Sequence, residues 1–515
     1  MRVYERNEMM ARNGKGSKSA ILLVGAGQAG GKVVGELGAR AQTCLDIKGF
    51  IDDDLHKCST KIQGLEVLGT TADIPRIAHE LNIDEVIITI GNRARAAIHR
   101  IIKLCEQAPV RIRIIPASHE LVQGQRRITE FRELQIEDWL GCDTVQLDET
   151  TVEECLMGKR VMVTGAGGSI GAELVRQIVG YGPAKLLLVE RAEFCLFNIH
   201  RELDSYNHRL PTVVPLLADI NDRSRMRAIF KEYRPQVVLH AAAHKHVPIV
   251  EANPAEAIKN NVLATNLIGE LAGEYGVEVF VLISTDKAVN PTSVMGASKR
   301  MAELVVQHLD QRFAGTRYLA VRFGNVIGST GSVVSIFQEQ IRNGGPVTVT
   351  DKRMERYFMT IPDAARLVLQ AGAIGQGGEI FTLKMGAPVR IYELAKEMIT
   401  RAGLMPNGGI KIKIIGPRPG EKFFEELEAN NEQHDRTRHP QILIGRLPAY
   451  PPEEVITALA RLHELVNRGD YQEIRMFMNS FLPEARLEVD AVQTLLRVPE
   501  QIALETIIER DANLM

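Results

Sequence analysis

The chain has 515 residues, room for two or three domains, with 45% hydrophobic and 24% charged residues, the balance of a globular protein in water. A formal net charge of −2 leaves no basic footprint for a polyanion or a membrane surface, so nucleic acid is not expected as a partner. The six cysteines (Cys44, Cys58, Cys105, Cys142, Cys155 and Cys195) form no C-x-x-C pair and none follows Cys195, which fits a reducing compartment rather than a disulfide framework.

Residues 1–19 are polar and basic, without the apolar centre of a signal peptide, and read as a flexible lead. No window reaches the roughly 18 consecutive apolar residues of a spanning helix. No direct membrane span is therefore expected, and the expected location is cytoplasmic. The first strand, Ala20–Val24, feeds the G-x-G-x-x-G turn Gly25 to Gly30 at a helix start. Such a turn lets a pyrophosphate approach the helix amino terminus. Strands over Lys48–Asp52 and Glu85–Gly91 complete a small Rossmann-like domain over 20–116. Its turn is compatible with nucleotide binding or with a purely structural or assembly role. Residues 117–158, with Trp139, read as a linker whose end, Leu147–Met157, caps the next domain.

The second glycine turn is fuller. The strand Arg160–Thr164 runs into Gly165-Ala166-Gly167-Gly168-Ser169-Ile170-Gly171, a helix follows over Ala172–Val179, and the strand Lys185–Val189 ends at Glu190. An acid at that distance accepts both ribose hydroxyls and repels a 2′-phosphate, which favours NAD over NADP, although Arg191 beside it could hold that phosphate. A strand over Pro215–Ile220 follows, and then Val237–His240 leading into Ala241-Ala242-Ala243-His244-Lys245-His246. The small alanines let backbone pass close to a cofactor. Histidines 240, 244 and 246 suggest either a metal site or a cofactor loop with hydrogen-bonded imidazoles, and the lack of carboxylate or thiolate ligands at fixed spacing favours the loop.

Val279–Ile283 is an apolar, mostly β-branched run, hence a buried parallel strand. It releases Ser284, Thr285, Asp286 and Lys287 at its carboxyl end, where ligands bind in open α/β sheets. After Asn290-Pro291 a helix carries Met295 and Lys299 on one face. Neighbouring side chains of an extended chain point to opposite faces, so Asp286 and Lys287 can act together only if the segment bends after Ser284. Asn325 and Ser332 belong to a glycine/serine loop whose donors suit phosphate and sugar oxygens. Arg356 is either a multi-donor diphosphate ligand or half of a surface salt bridge. Beyond about Asn430 the pattern reads as amphipathic helix, as in Pro451–Asn467 and Tyr471–Asn479.

From Gly25 to about His439, and most strongly from Val161 to Leu427, the chain resembles the extended short-chain dehydrogenase/reductases of bacterial polysaccharide synthesis. Within them it is similar to the UDP-N-acetylglucosamine 4,6-dehydratases. The resemblance rests on T-G-x-x-G-x-x-G from Thr164, A-A-x-K-H-V-P at Ala242–Pro248, Asn260-Asn261-Val262, Ser284 to Glu303, and Arg418-Pro419-Gly420-Glu421-Lys422 with Glu425. Ala264 replaces the usual glycine after the N-N-V segment. The implied architecture is α/β with two Rossmann-like doubly wound parallel sheets. The second sheet belongs to a catalytic domain over 159–439 with a small sugar-nucleotide lobe, followed by a helical region over 440–515. Relatives often carry transmembrane helices ahead of the first domain; here they are missing, as in a soluble member or a fragment.

The resemblance implies NAD held by Gly165, Gly168, Ser169, Ile170, Gly171, Glu190, Asp219, Ile220, Ala241, Ala242 and Lys299. It implies a UDP-sugar held by Lys245, Asn325, Ser332, Arg356 and Glu421, and a homo-oligomeric assembly. Acids of the Arg418–Glu425 segment are implied to face the nucleotide ribose or base, against the plainer reading of a solvated helix start. In the implied chemistry the C4 hydroxyl is oxidised, Lys287 takes the C5 proton, and Asp286 protonates the leaving C6 hydroxyl. Burial is expected to raise Asp286 and lower Lys287 towards these roles. Met295 stands where most extended reductases have tyrosine, and methionine cannot move a proton. It resembles the branch that retains configuration at C5, and leaves Thr285, through water or Asp286, to serve O4. Two rival readings are a nucleotide-sugar 4-epimerase, which needs no C5 base, and a cofactor-binding scaffold without activity.

Overall fold

The computed structural model describes residues 19–38, 45–90, 95–105, 107–108, 110–115, 131–133, 147–204, 211–427, 433–446 and 450–489. Residues 1–18 of the expected flexible lead, Trp139, Cys44 and Cys142 lie outside them, and Ser19 opens the first strand. The chain divides into two compact units, one of residues 1–144 with 396–410, the other of 145–395 with 411–515.

The first unit is built on a seven-stranded sheet in the order Lys61–Ile62, Leu65–Gly69, Leu45–Ile51, Ser19–Val24, Glu85–Ile88, Arg111–Ile114 and Arg132–Glu133. Ser19–Val24 pairs in parallel with Leu45–Ile51 and Glu85–Ile88, and the chain reverses strand order around it. Asp52, just past the second strand, accepts the Ala26 N–H of the glycine turn (2.8 Å) and pairs with Lys57 (3.2 Å).

The second unit holds nine strands in the order Thr212–Leu217, Lys185–Glu190, Arg160–Thr164, Val237–His240, Val279–Ile283, Arg317–Arg322, Ile380–Leu383, Ile442–Arg446 and Gln433–Arg436. The first seven are parallel, and the last two join antiparallel. Alternate residues feed opposite faces, as the pleat requires. Met162, Leu187, Val238, Phe280 and Leu282 pack towards the helices Arg223–Tyr233, Ala264–Glu274 and Val294–Arg312. Val161, Val163, Leu188, Leu239 and Val281 pack towards Glu149–Leu156, Ser169–Val179 and Ile361–Ile374. Burial on both faces explains the unbroken apolar strands, since each fully buried side chain of this size contributes roughly 1.5–3 kcal/mol.

The expected α/β class with two Rossmann-like doubly wound sheets is therefore observed, the second in the form of an extended short-chain dehydrogenase/reductase. Short paired strands outside the main sheet form its lobe: Asn325–Ile327 with Phe358–Thr360, Val347–Val349 with Ile412–Ile414, and Glu355–Arg356 with Val389–Arg390. Two expectations are corrected. The strand expected over Pro215–Ile220 runs Thr212–Leu217, so Asp219 and Ile220 lie in the loop beyond it. Residues 433–446, expected to be helical, form two strands; Ile442, Leu443 and Ile444 find a ready edge in Ile380–Leu383, and pairing outweighs local preference. The helices Pro452–Arg468 and Tyr471–Phe481 then pack on the core. Among the described residues no helix is long and apolar enough to cross a membrane.

Candidate active site

The strand order reverses between Arg160–Thr164 and Val237–His240, and a cavity of about 960 Å³ opens at the carboxyl ends of these strands. Ile283 is the last strand residue before it. Thr285 is extended, and Asp286–Ala288 then closes a single 3₁₀ turn. This is the bend the sequence demanded. The Thr285 hydroxyl accepts from Lys287 N (3.4 Å) and donates to Asp286 Oδ1 (2.9 Å), so one side chain shapes both neighbours. Lys287 Nζ lies 2.9 Å from Asp286 Oδ1 and donates to Asn325 Oδ1 at 3.0 Å. Asp286 sits behind Thr285 and Lys287, 1% exposed, and its Oδ2 has no hydrogen-bond partner among the described residues.

The expectation of a lowered Lys287 is overturned. Burial pushes the amine down, but the carboxylates of Asp286 and Glu425 outweigh it, and the net direction is up. Lys287 and Asp286 thus rest as an ion pair.

Helix Val294–Arg312 starts under a Ser293 cap, whose hydroxyl accepts from Gly296 N (3.1 Å). It presents Met295 and Lys299, both buried, to the cavity. Burial pushes Lys299 down to about 8 against the pull of Glu303, and it makes no ion pair among the described residues. An unpaired buried amine is suited to donating hydrogen bonds to a ligand. Below it Glu303 ties Ser284 Oγ (2.6 Å) and Arg322 Nε (2.7 Å) together, fixing helix and strand ends.

The glycine turn meets the demands of a dinucleotide. Gly165 has φ +66°, and a Cβ there would stand 2.8 Å from Ala242 Cα and N, so glycine and alanine permit the same close approach. A Cβ on Gly171 would run into the Gly165 carbonyl. Glu190 accepts from the N–H groups of Gly167 (3.1 Å), Arg191 (2.9 Å) and Ala192 (3.0 Å), which anchors its carboxylate beside the turn. Gly168, Ser169, Ile170, Ile220, Ala241 and Ala242 line the same cavity. Asp219 lines a neighbouring depression with Arg191 and Arg225, and its carboxylate accepts from Asn221 N (2.8 Å).

The histidines do not converge on a metal. His240 is fully buried between Thr164 Oγ1 (2.7 Å) and Thr265 Oγ1 (3.0 Å), and burial pushes it down to about 3. The His244 backbone is held at both ends by the Asn261 side chain (2.8 and 3.0 Å), which also reaches Ser298 Oγ (3.0 Å). Among the described residues no cluster of His, Cys, Asp or Glu could hold a metal ion.

Lys245, Asn325, Ser332, Arg356 and Glu421 line the cavity on the lobe side. Ser332 caps helix Val333–Arg342. Arg356 is 7% exposed, which rules out a surface salt bridge. Its Nη1 and Nη2 donate to the carbonyls of Glu355 (2.7 Å) and Lys422 (2.8 Å), and Glu421 and Glu425 lie 3.6 and 3.5 Å away. Glu425 does not face outward; it turns inward to Lys287 (3.5 Å). Sequence reasoning missed this contact, and also missed Glu251 and Arg475, which hold the start of helix Val294–Arg312. Only the sequence distance between these partners concealed them.

Comparison with known proteins identifies the family. Residues 161–446 match the family described as "Polysaccharide biosynthesis protein", and residues 2–116 match a "CoA-binding domain" family. The chain is 43% identical over 440 residues to "Capsular polysaccharide biosynthesis protein CapD" of Staphylococcus aureus, covering 85% of this chain and 73% of that protein. It is 34% identical over 281 residues to a Campylobacter jejuni "UDP-N-acetylglucosamine 4,6-dehydratase (inverting)", covering 54% and 79%. It is equally, 34%, identical over 278 residues to a Rickettsia rickettsii "UDP-glucose 4-epimerase", covering 53% and 79%. The family model spans more than half of the chain, and the chain belongs to the polysaccharide biosynthesis protein family.

Proposed function

We propose that the protein is an NAD-dependent enzyme acting on UDP-sugars, and specifically a UDP-N-acetylglucosamine 4,6-dehydratase. The observation that carries this reading is the Asp286–Lys287 pair, 2.9 Å apart, in which Lys287 lines the dinucleotide cavity and Asp286 stands behind it. Bound NAD would supply the hydride acceptor for C4 and return that hydride at C6. Gly165, Gly168, Ser169, Ile170 and Gly171 would hold its pyrophosphate, Glu190 the adenosine ribose and Lys299 the nicotinamide ribose; Asp219 and Ile220 would border the adenine. The acid at Glu190 favours NAD over NADP.

Lys287 takes the C5 proton and Asp286 gives a proton to the C6 oxygen as water leaves. The resting ion pair holds the right number of protons in the wrong place for this. Moving one proton from Nζ to Oδ1 over 2.9 Å yields the neutral amine and neutral acid the elimination needs. Expelling water from around the pair favours that transfer, because a neutral pair loses less on desolvation than an ionic one. After the elimination Lys287 is charged and Asp286 ionised, which is the resting state of the pair; the proton C5 then takes up as C6 is reduced matches in number the one that O4 releases on oxidation. Thr285, bonded to Asp286, serves O4 in place of the missing tyrosine. Lys245, Asn325, Ser332, Arg356 and Glu421 hold the sugar nucleotide. Retention at C5 is part of the proposal and rests on Met295 alone; the Campylobacter relative is described as inverting.

A 4-epimerase is the second reading, supported by the equal similarity to a UDP-glucose 4-epimerase. That reaction needs redox at C4 without a C5 base, and would leave the Asp286–Lys287 pair as a binding element. Incubation with UDP-N-acetylglucosamine and mass spectrometry separates the readings. Loss of one water marks the dehydratase and an isomer of unchanged mass the epimerase; unaltered substrate sinks both and leaves a scaffold. Nuclear magnetic resonance of the product assigns C5.

A further inference from the structure

The segment Arg418–Leu427 is stitched to the active-site turn. Thr292 Oγ1 donates to Gly420 O (3.1 Å), Lys422 Nζ donates to Val289 O (2.8 Å), and Asn290 Nδ2 donates to Glu426 Oε2 (3.2 Å). These bonds bring Glu425, 7% exposed, into the catalytic cluster. Its Oε1 lies 3.5 Å from Lys287 Nζ and 3.5 Å from Arg356 Nε. Among the described residues its buried Oε2 has no hydrogen-bond partner, and neither has Asp286 Oδ2. A buried acceptor left unpaired is destabilising, so its retention points to a task other than folding.

Resting on the dehydratase reading, we infer that Glu425 is a positioning residue for the C5 base: it aims the Lys287 amine and stabilises the ammonium that forms when Lys287 takes the C5 proton. Among the described residues three charged groups act on Lys287. Asp286 comes from its own turn, Arg356 from the lobe strand Glu355–Arg356, and Glu425 from the stitched segment; Asn325 adds an uncharged oxygen at 3.0 Å. Asp286 must carry a proton at the moment of elimination, which removes its negative charge. Glu425 is then the anion that remains beside the new ammonium. Arg356 Nε lies 3.5 Å away on its other side and supplies a positive counter-charge to the carboxylate.

The balance of the step is simple. The C5–H bond breaks, an N–H bond forms on Lys287, and the electron pair left at C5 expels the C6 hydroxyl, which takes the Asp286 proton. Glu425 neither gains nor loses a proton.

The test is the Glu425→Gln variant, assayed across pH with UDP-N-acetylglucosamine beside the wild type. Without the anion Lys287 holds its proton less tightly, so the acid-side fall of kcat moves to lower pH by roughly one pH unit or more. The amine is also a weaker base for C5, and kcat on the plateau falls roughly tenfold or more while KM changes little. Solvent-deuterium entry at C5 of the keto product slows in step. Glu425→Asp keeps the charge and is expected to return the acid limb towards wild type, which also serves if the glutamine variant fails to fold. An unmoved acid limb in the glutamine variant, or in the aspartate variant a rate loss carried wholly by KM, overturns the inference while leaving the dehydratase reading intact. A wild type that releases no water overturns that reading, and the role of Glu425 with it.

Discussion

Arg475 lies fully buried on helix Tyr471–Phe481, and its Nη2 donates to the Glu251 carboxylate (2.8 Å) and carbonyl (2.7 Å). The other carboxylate oxygen of Glu251 accepts the Val294 N–H at 2.6 Å, at the start of the helix that carries Met295 and Lys299. The carboxyl-terminal helices therefore reach the active site through one ion pair. Arg475→Met keeps much of the side chain's apolar volume but leaves Glu251 as a buried charge without its counter-charge. Breaking such a pair from one side costs roughly 3–5 kcal/mol, a large share of the roughly 5–15 kcal/mol that hold a domain folded. Thermal unfolding should show a midpoint lower by roughly 5–10 °C, and urea titration a matching loss. Adding Glu251→Gln removes the second charge while its amide oxygen still accepts from Val294, so the double variant should be more stable than Arg475→Met alone. A single variant within about 0.5 kcal/mol of wild type, as for an ordinary surface change, would refute the reasoning. So would a double variant whose loss equals the sum of the two single losses.

Lys299→Met tests the cost of the unpaired amine. Folding holds Lys299 near 8 against 10.5 in the open chain, so between those values the unfolded chain binds more protons and wild-type stability rises with pH. Below pH 8 the full cost, about 3 kcal/mol, is present; the variant should be more stable than wild type at pH 7 and lack the rise, as read by urea titration at pH 7 and 10. Gly171→Ala sets a Cβ against the Gly165 carbonyl and 2.8 Å from its carbon, so the turn must shift. With roughly 1–3 kcal/mol of overpacking, NAD affinity by calorimetry should fall about tenfold or more, and unchanged affinity would disprove the assigned turn. Thr285→Val removes the donor to Asp286 at 2.9 Å. It is expected to cut kcat by roughly a hundredfold with KM little altered, and intact turnover would end the role given to Thr285 at O4.

What could be read before folding follows the range of the forces involved. The strand–turn–helix around Gly165 and the run into Thr285, Asp286 and Lys287 are local patterns, and both stand where the pattern puts them. The required bend was deducible too, because two neighbours cannot share a task on an extended strand, yet its cause, the Thr285 cap, belongs to the turn itself. Long-range partners were not deducible. Nothing near Asp219 announces that the strand before it ends at Leu217, and nothing near Ile442 announces a sheet edge waiting at Ile380–Leu383. The same blindness reversed the expected behaviour of Lys287. Burial was foreseen, and burial lowers an amine; the two acids that overcome it are the preceding residue, Asp286, and Glu425, 138 positions away in the chain. On the proposed reading, an amine that rests charged and acts neutral needs both kinds of neighbour. The adjacent acid would take its proton away, and the distant one would steady it when the proton of the substrate arrives.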